Sequence, residues 1–179
     1  MQTKFYSSKT FLITISVIFV LFIGIVLPFF ASLTEEKTNS NFSPDTGFFY
    51  TIDQFYENME IYNESGRNFY ILMRWTFDII WPLVYFSFFI SCLSYLSLKY
   101  ERKRRLFIFS LPILGLGFDI IENILATINV AIYPNRAVYL VKFLQIASIL
   151  KWIFIALTFF IIIYLIFANI IFKKKISSS

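Results

Sequence analysis

Seven residues carry most of the chemistry open to this chain: Arg74, Asp78 and Tyr85 in one apolar run, Asp119, Glu122 and Asn123 in the next, and Lys151 in the last. Arg74, Asp78, Trp81 with Pro82, and Tyr85 recur at steps of three and four, the spacing of one helical face. Arg74 and Asp78 can therefore pair along their own helix. Pro82 has no N–H to give the carbonyl of Asp78, so a free carbonyl, a carboxylate and a kink are expected together. Gly115, Asp119, Glu122, Ala126, Asn129 and Tyr133 form a second stripe of small and polar residues, which suits a face turned to protein or water rather than lipid. Gly115 and Ala126 would allow a close helix approach. Ser148, Lys151 and Thr158 share a third face, with Lys142 and Gln145 nearer its outer end.

Two cations, Arg74 and Lys151, face three carboxyls, Asp78, Asp119 and Glu122. The surplus negative charge is expected to be offset by a proton held between Asp119 and Glu122, which lie one turn apart. An unpaired Arg, Lys or Asp at mid-membrane costs about 2.5–3.5 kcal/mol, so five would approach the whole stability of a typical domain. Pairing, hydration or neutralisation is required. Three roles fit such a cluster: ion pairs that order the helices, a site for an apolar or lipid ligand built on paired carboxyls, and a proton- or ion-coupled carrier pathway.

The rest of the inventory is restrictive. There is no histidine and a single cysteine, Cys92, inside an apolar run, which excludes histidine acid–base chemistry, an internal disulfide and a cysteine metal cluster. No nucleophile–base pair, phosphate loop or metal cage is evident. The residues call for no cofactor and no metal, and they do not point to an enzyme.

The elements that must position these groups follow from composition. With 58% hydrophobic and 21% aromatic residues and a mean hydropathy of +0.71, the chain takes the bilayer as its solvent. Four runs, at about 11–33, 75–98, 106–132 and 143–172, exceed the roughly 18 residues needed to cross it. An all-α bundle of four transmembrane helices, a single polytopic membrane domain over 1–179, accounts for the whole chain. The last run is long enough to tilt or to project. By counting along the runs, every ionisable group inside them falls in the outer half.

Basic residues set the orientation. Lys4 and Lys9 precede the first run, Lys99 and Arg102 to Arg105 lie between the second and third, and Lys173 to Lys175 close the chain. The loop over 34–68 carries seven acids against Lys37 and Arg67. By the positive-inside rule both termini are cytoplasmic and that loop is external, in the cell (inner or plasma) membrane. The basic run is read as contact with the lipid bilayer and its anionic lipids, not with nucleic acid. Lys4 and Lys9 could also head a signal peptide, but the apolar core is too long and Ala31-Ser32-Leu33 is a poor cleavage site, so the first span is expected to be retained.

Within the loop, Ser43 to Gly47 has turn chemistry, and Thr51 with Gln54 forms a capping-box pattern. Ile52, Phe55, Tyr56, Met59 and Tyr62 then recur at helical spacing, so a short amphipathic helix is expected, ended at Asn63 to Gly66. Its apolar face, with Phe55, Tyr56 and Met59, is a candidate lid over an outward-facing polar cavity. The cavity would be walled by the second, third and fourth spans, with the first packed at the side. An apolar ligand or another membrane protein would be the partner.

The Arg74-x-x-x-Asp78-x-x-x-Pro82-x-x-Tyr85 and Asp119-x-x-Glu122-Asn123 patterns resemble motifs of small four-helix bacterial membrane proteins, a resemblance that implies no activity. Four spans, a long first external loop, an acid before a proline in the second span and an acid in the third are also similar to the EXPERA group of sterol-binding and sterol-isomerising proteins. That resemblance implies two membrane carboxyls, Asp78 and one of Asp119 or Glu122, that hold and protonate an apolar ligand. The spacing from acid to proline differs from that group.

Overall fold

The computed structural model describes residues 6–44, 47, 49–98 and 100–177, the side chains of 172–177 excepted. Lys4, Asp45, Thr46 and Lys99, and the side chains of Lys173, Lys174 and Lys175, lie outside the described residues. Regular structure among the described residues is entirely helical: α1 (Lys9–Leu21), a π-helical turn (Phe22–Val26), α2 (Leu27–Thr38), α3 (Ile52–Ile61), α4 (Asn63–Trp75), α5 (Phe77–Leu96), α6 (Arg102–Ala131) and α7 (Val138–Ser177). Four stretches are long and apolar enough to cross a membrane: Lys9–Thr38, Asn63–Leu96, Arg102–Ala131 and Val138–Ile171. The protein is a four-span helical bundle with one short helix in the loop that follows the first span.

The first span is helical throughout but not uniformly α. Ser8 caps it by accepting a hydrogen bond from Phe11 N at 3.1 Å. Farther on, Pro28 cannot donate to Gly24, and the chain widens into the π turn, in which Leu27 N–H reaches the carbonyl of Phe22. The span continues beyond residue 33 to Thr38, past Glu35 and Glu36, and stops where Asn39 turns left-handed at φ 55°. It packs on α5 chiefly through rings: Phe19 stacks on Phe88 at 4.2 Å and Phe30 on Phe77 at 4.3 Å.

The loop helix forms with both capping bonds of Thr51 and Gln54 in place, Gln54 N to Thr51 Oγ1 at 3.1 Å and Thr51 N to Gln54 Oε1 at 2.8 Å. Tyr62 separates α3 from α4, and Asn63, the first residue of α4, has φ 43° and accepts from Gly66 N at 2.9 Å through its Oδ1. Asn63 to Gly66 therefore open the next helix as well as end the last, which puts α4 a full three turns upstream of the expected span. Gly66 itself answers a steric demand: a Cβ there would lie 2.9 Å from the carbonyl oxygen of Lys37 and 3.2 Å from Thr38 Cα.

The second span breaks at Thr76, where φ is −118° and ψ −80°, between Arg74 and Asp78. Helix α5 then runs through Pro82 without a second interruption. The bundle has two apolar cores. One, toward the loop helix, gathers Phe55, Tyr56, Met59 and Tyr62 with Tyr70, Ala126, Val130, Val141 and Leu144. The other, toward the termini, gathers Phe19, Tyr85, Phe89 and Leu93 with Ile155, Ile162 and Leu165. Along the second, third and fourth spans the charged residues fall between these two cores.

Candidate functional site

Helix α4 carries Arg74 in its last turn, α5 begins beside Asp78, α6 presents Asp119, Glu122 and Asn123 from its middle, and α7 contributes Lys151. The structure brings all six together. Glu122 is completely buried and lies between two cations, with Lys151 Nζ 2.8 Å from Oε2 and Arg74 Nη1 3.6 Å from Oε1. Arg74 also meets Asp78 Oδ2 at 3.2 Å and donates to Asn123 Oδ1 at 3.3 Å and to Tyr70 Oη at 2.6 Å. One guanidinium thus ties the second span to the third, and one carboxylate ties both to the fourth. Multiple charge-assisted bonds of this kind are what make a buried ion tolerable.

Pro82 leaves its mark here. The carbonyl of Asp78, deprived of its helical donor, accepts instead from Asn123 Nδ2 at 2.9 Å. Asn123 therefore gives its amide N–H to the backbone of one span while its oxygen accepts from Arg74. Farther toward the termini, Tyr85 Oη donates to Asp119 Oδ2 at 2.8 Å. Ser148 and Thr158 of α7 are buried as well, and Thr158 bonds back to the carbonyl of Phe154.

A cavity of about 470 Å³ opens beside this cluster. Its apolar lining includes Ile23, Leu27, Pro28, Phe30, Phe77 and Trp81, and its charged lining is Arg74, Asp78, Asp119 and Lys151, with Glu35 as a further acid. The π turn and the residues just after it therefore form a wall. The first span does not merely pack at the side: it encloses the cavity against the second, because flat aromatic and branched side chains, not polar ones, make that surface. Glu122 and Asn123 support the floor from behind without lining it.

The loop helix lies elsewhere. Phe55, Tyr56 and Met59 are buried in the apolar core beside the loop helix, and none of them lines the cavity. The helix is fastened to the connection and helices around it: Ala137 N donates to Tyr56 Oη at 2.6 Å, Gln145 Nε2 to the Tyr50 carbonyl at 2.5 Å and Arg67 Nη1 to the Met59 carbonyl at 2.9 Å, while Arg136 pairs with Asp53 at 3.2 Å. The mouth is bordered instead by the segment Ser40 to Ser43.

Sequence reasoning missed Tyr70, Leu27, Pro28, Phe30 and Trp152. Tyr70 was findable, since it stands one turn before Arg74 on the same face, but only if the helix is extended upstream of the apolar run. For the others no polar spacing existed to find. The chain matches no protein-family model, no curated protein and no solved structure, so the resemblances drawn from its motifs assign it to no family.

Proposed function

We propose that this multi-pass membrane protein holds an amphiphilic molecule between its first two spans, with the apolar part against Leu27, Phe30, Phe77 and Trp81 and the head group at Asp78 and Asp119. The observation that carries this reading is a cavity of about 470 Å³ with apolar walls and charged side chains at one side. Its volume falls within the roughly 300–1,000 Å³ of typical ligand sites, and a few convergent polar groups on an apolar lining are the usual means of fixing a ligand's orientation.

Charge favours one kind of head group. Glu35, Asp78 and Asp119 line the cavity and Glu122 stands behind it, four carboxyls against the two cations Arg74 and Lys151. A head that donates hydrogen bonds or carries positive charge offsets the surplus, and the aromatic lining adds attraction for a cation. Glu122 has a separate role in this reading. Shared between Lys151 and Arg74, it orders three spans and fixes where the cavity carboxyls stand.

The test uses the protein's own tryptophans, since Trp81 and Trp152 both line the cavity. In nanodiscs of neutral lipid, a long-chain primary amine should change their fluorescence saturably, and a sulfonate of equal chain length should not. Asp119→Asn and Asp78→Asn should each weaken the amine about tenfold or more while leaving helix content unchanged, the scale of a lost hydrogen bond to a charged group. Non-saturating, equal responses to both amphiphiles would sink the proposal.

The basic segments also support an orientation with both termini in the cytoplasm and the loop helix outside, in the cell's inner or plasma membrane. Reporter fusions after Arg105 should read cytoplasmic and one near Glu57 external. The reverse result would invert the cavity with them.

A further inference from the structure

A second hollow, of about 480 Å³, lies at the opposite end of the bundle, where the first turns of α6 meet α7 at Ile161, Tyr164 and Leu165. Phe107, Ile161 and Leu165 wall it, Tyr164 flanks it, and Lys103 and Arg104 stand over it. Helix α6 starts at Arg102, so the two cations are in its first turn and Phe107 is about one turn deeper. In a bilayer crossed by these spans the hollow would run from the depth of lipid head groups into that of acyl chains.

Among the described residues no carboxyl lines the hollow. Among the described residues neither Lys103 nor Arg104 makes a salt bridge, and both are exposed. The nearest acid in the chain, Glu101, precedes α6 and uses its backbone carbonyl to accept from Arg105 N at 3.1 Å. Cations held over an apolar groove at the membrane surface, beside a tyrosine, match a molecule with a negative head and an apolar chain.

We infer that this groove is a binding site for one anionic phospholipid, its phosphate at Lys103 and Arg104 and an acyl chain along Phe107, Ile161 and Leu165. The site is independent of the cavity between the first two spans and takes the opposite head-group charge. Bulk attraction to an acidic membrane needs only the basic residues; a site also needs the groove, and that difference is measurable.

Full-length protein in neutral detergent, titrated with phosphatidylglycerol or phosphatidylcholine and read by native mass spectrometry, separates the two. One phosphatidylglycerol should bind with a clear preference over phosphatidylcholine. Lys103→Gln with Arg104→Gln should weaken it about twenty-five-fold, about fivefold for each cation. Arg136→Gln with Lys142→Gln, at the other end of the bundle, should leave it unchanged. Phe107→Trp should reduce the bound lipid while both cations remain, and glycerol phosphate at millimolar concentration should not displace it. Equal binding of the two lipids, an unaffected Lys103/Arg104 variant, the same loss in the distal variant, an unaffected Phe107→Trp protein, or displacement by glycerol phosphate would each overturn the assignment. Circular dichroism of each variant verifies that the helices are intact.

Discussion

Asn123 is the residue on which the geometry of the charged cluster turns. Its amide donates to the Asp78 carbonyl that Pro82 leaves without a helical partner, and its oxygen accepts from Arg74. If that is its function, Asn123→Ala should destabilise the protein by roughly 1–3 kcal/mol, the penalty for a buried group left unbonded. Pro82→Ala would return an N–H to the same carbonyl, so the double variant should recover part of the loss. Thermal unfolding of the four proteins in detergent measures this, and strictly additive effects would show that the two positions are uncoupled. The Glu122 clamp yields a parallel expectation. Lys151→Met removes the cation 2.8 Å from Glu122 and should cost about 3–5 kcal/mol, whereas adding Glu122→Gln should restore much of the folded yield. Arg74, 3.6 Å from the same carboxylate, sets the limit of that recovery, since it loses an ionic partner in the double variant.

These residues are the part of the site most legible in the sequence. An ionisable side chain in an apolar run stands out, and its helical spacing shows which others share its face. The partition of the carboxyls was not legible. Asp119 and Glu122 have the same spacing signal, yet Tyr85 Oη reaches the first and Lys151 the second, because those partners arrive from different helices. The first span illustrates the opposite limit. It is so uniformly apolar that periodicity cannot distinguish a cavity wall from a lipid-facing side, and Leu27, Pro28 and Phe30 carry no signal of their own.

At the scale of elements, local chemistry is read well where it is polar and short-range. The Thr51–Gln54 capping box and the loop helix follow from a few adjacent residues. The helix's placement does not, since it depends on Ala137, Gln145 and Arg67, all distant in sequence. Glycines divide in the same way. Gly66→Ala should destabilise the contact between α4 and the end of α2, because the new Cβ would come within 2.9 Å of a backbone oxygen. Gly115 was expected to permit a close helix approach; a Cβ there would meet Ile155 Cγ1 of the fourth span at 3.6 Å, an ordinary contact. Gly115→Ala should therefore be neutral or stabilising by up to about 1 kcal/mol, through helix propensity. Melting temperatures of the two variants decide it, and a Gly66→Ala protein as stable as the parent would contradict the packing described.

For the whole molecule, the first span determines whether the bundle is only an ordered scaffold or also encloses a ligand. Spans two to four are held together by Arg74, Glu122 and Lys151, whereas the first joins through aromatic stacking, leaving about 470 Å³ between it and the other three, with Asp119 of the third and Lys151 and Trp152 of the fourth on the far side. Photolabelling locates any occupant most directly: a long-chain primary amine carrying a diazirine, with the full-length protein in neutral nanodiscs. Peptides containing Leu27 to Ala31 and Phe77 to Trp81 should be labelled, with the labelling suppressed by excess unlabelled amine and lost in the Asp119→Asn variant. Labelling spread over the lipid-facing surfaces of all four spans, unaffected by competitor or by Asp119→Asn, would contradict binding in the cavity.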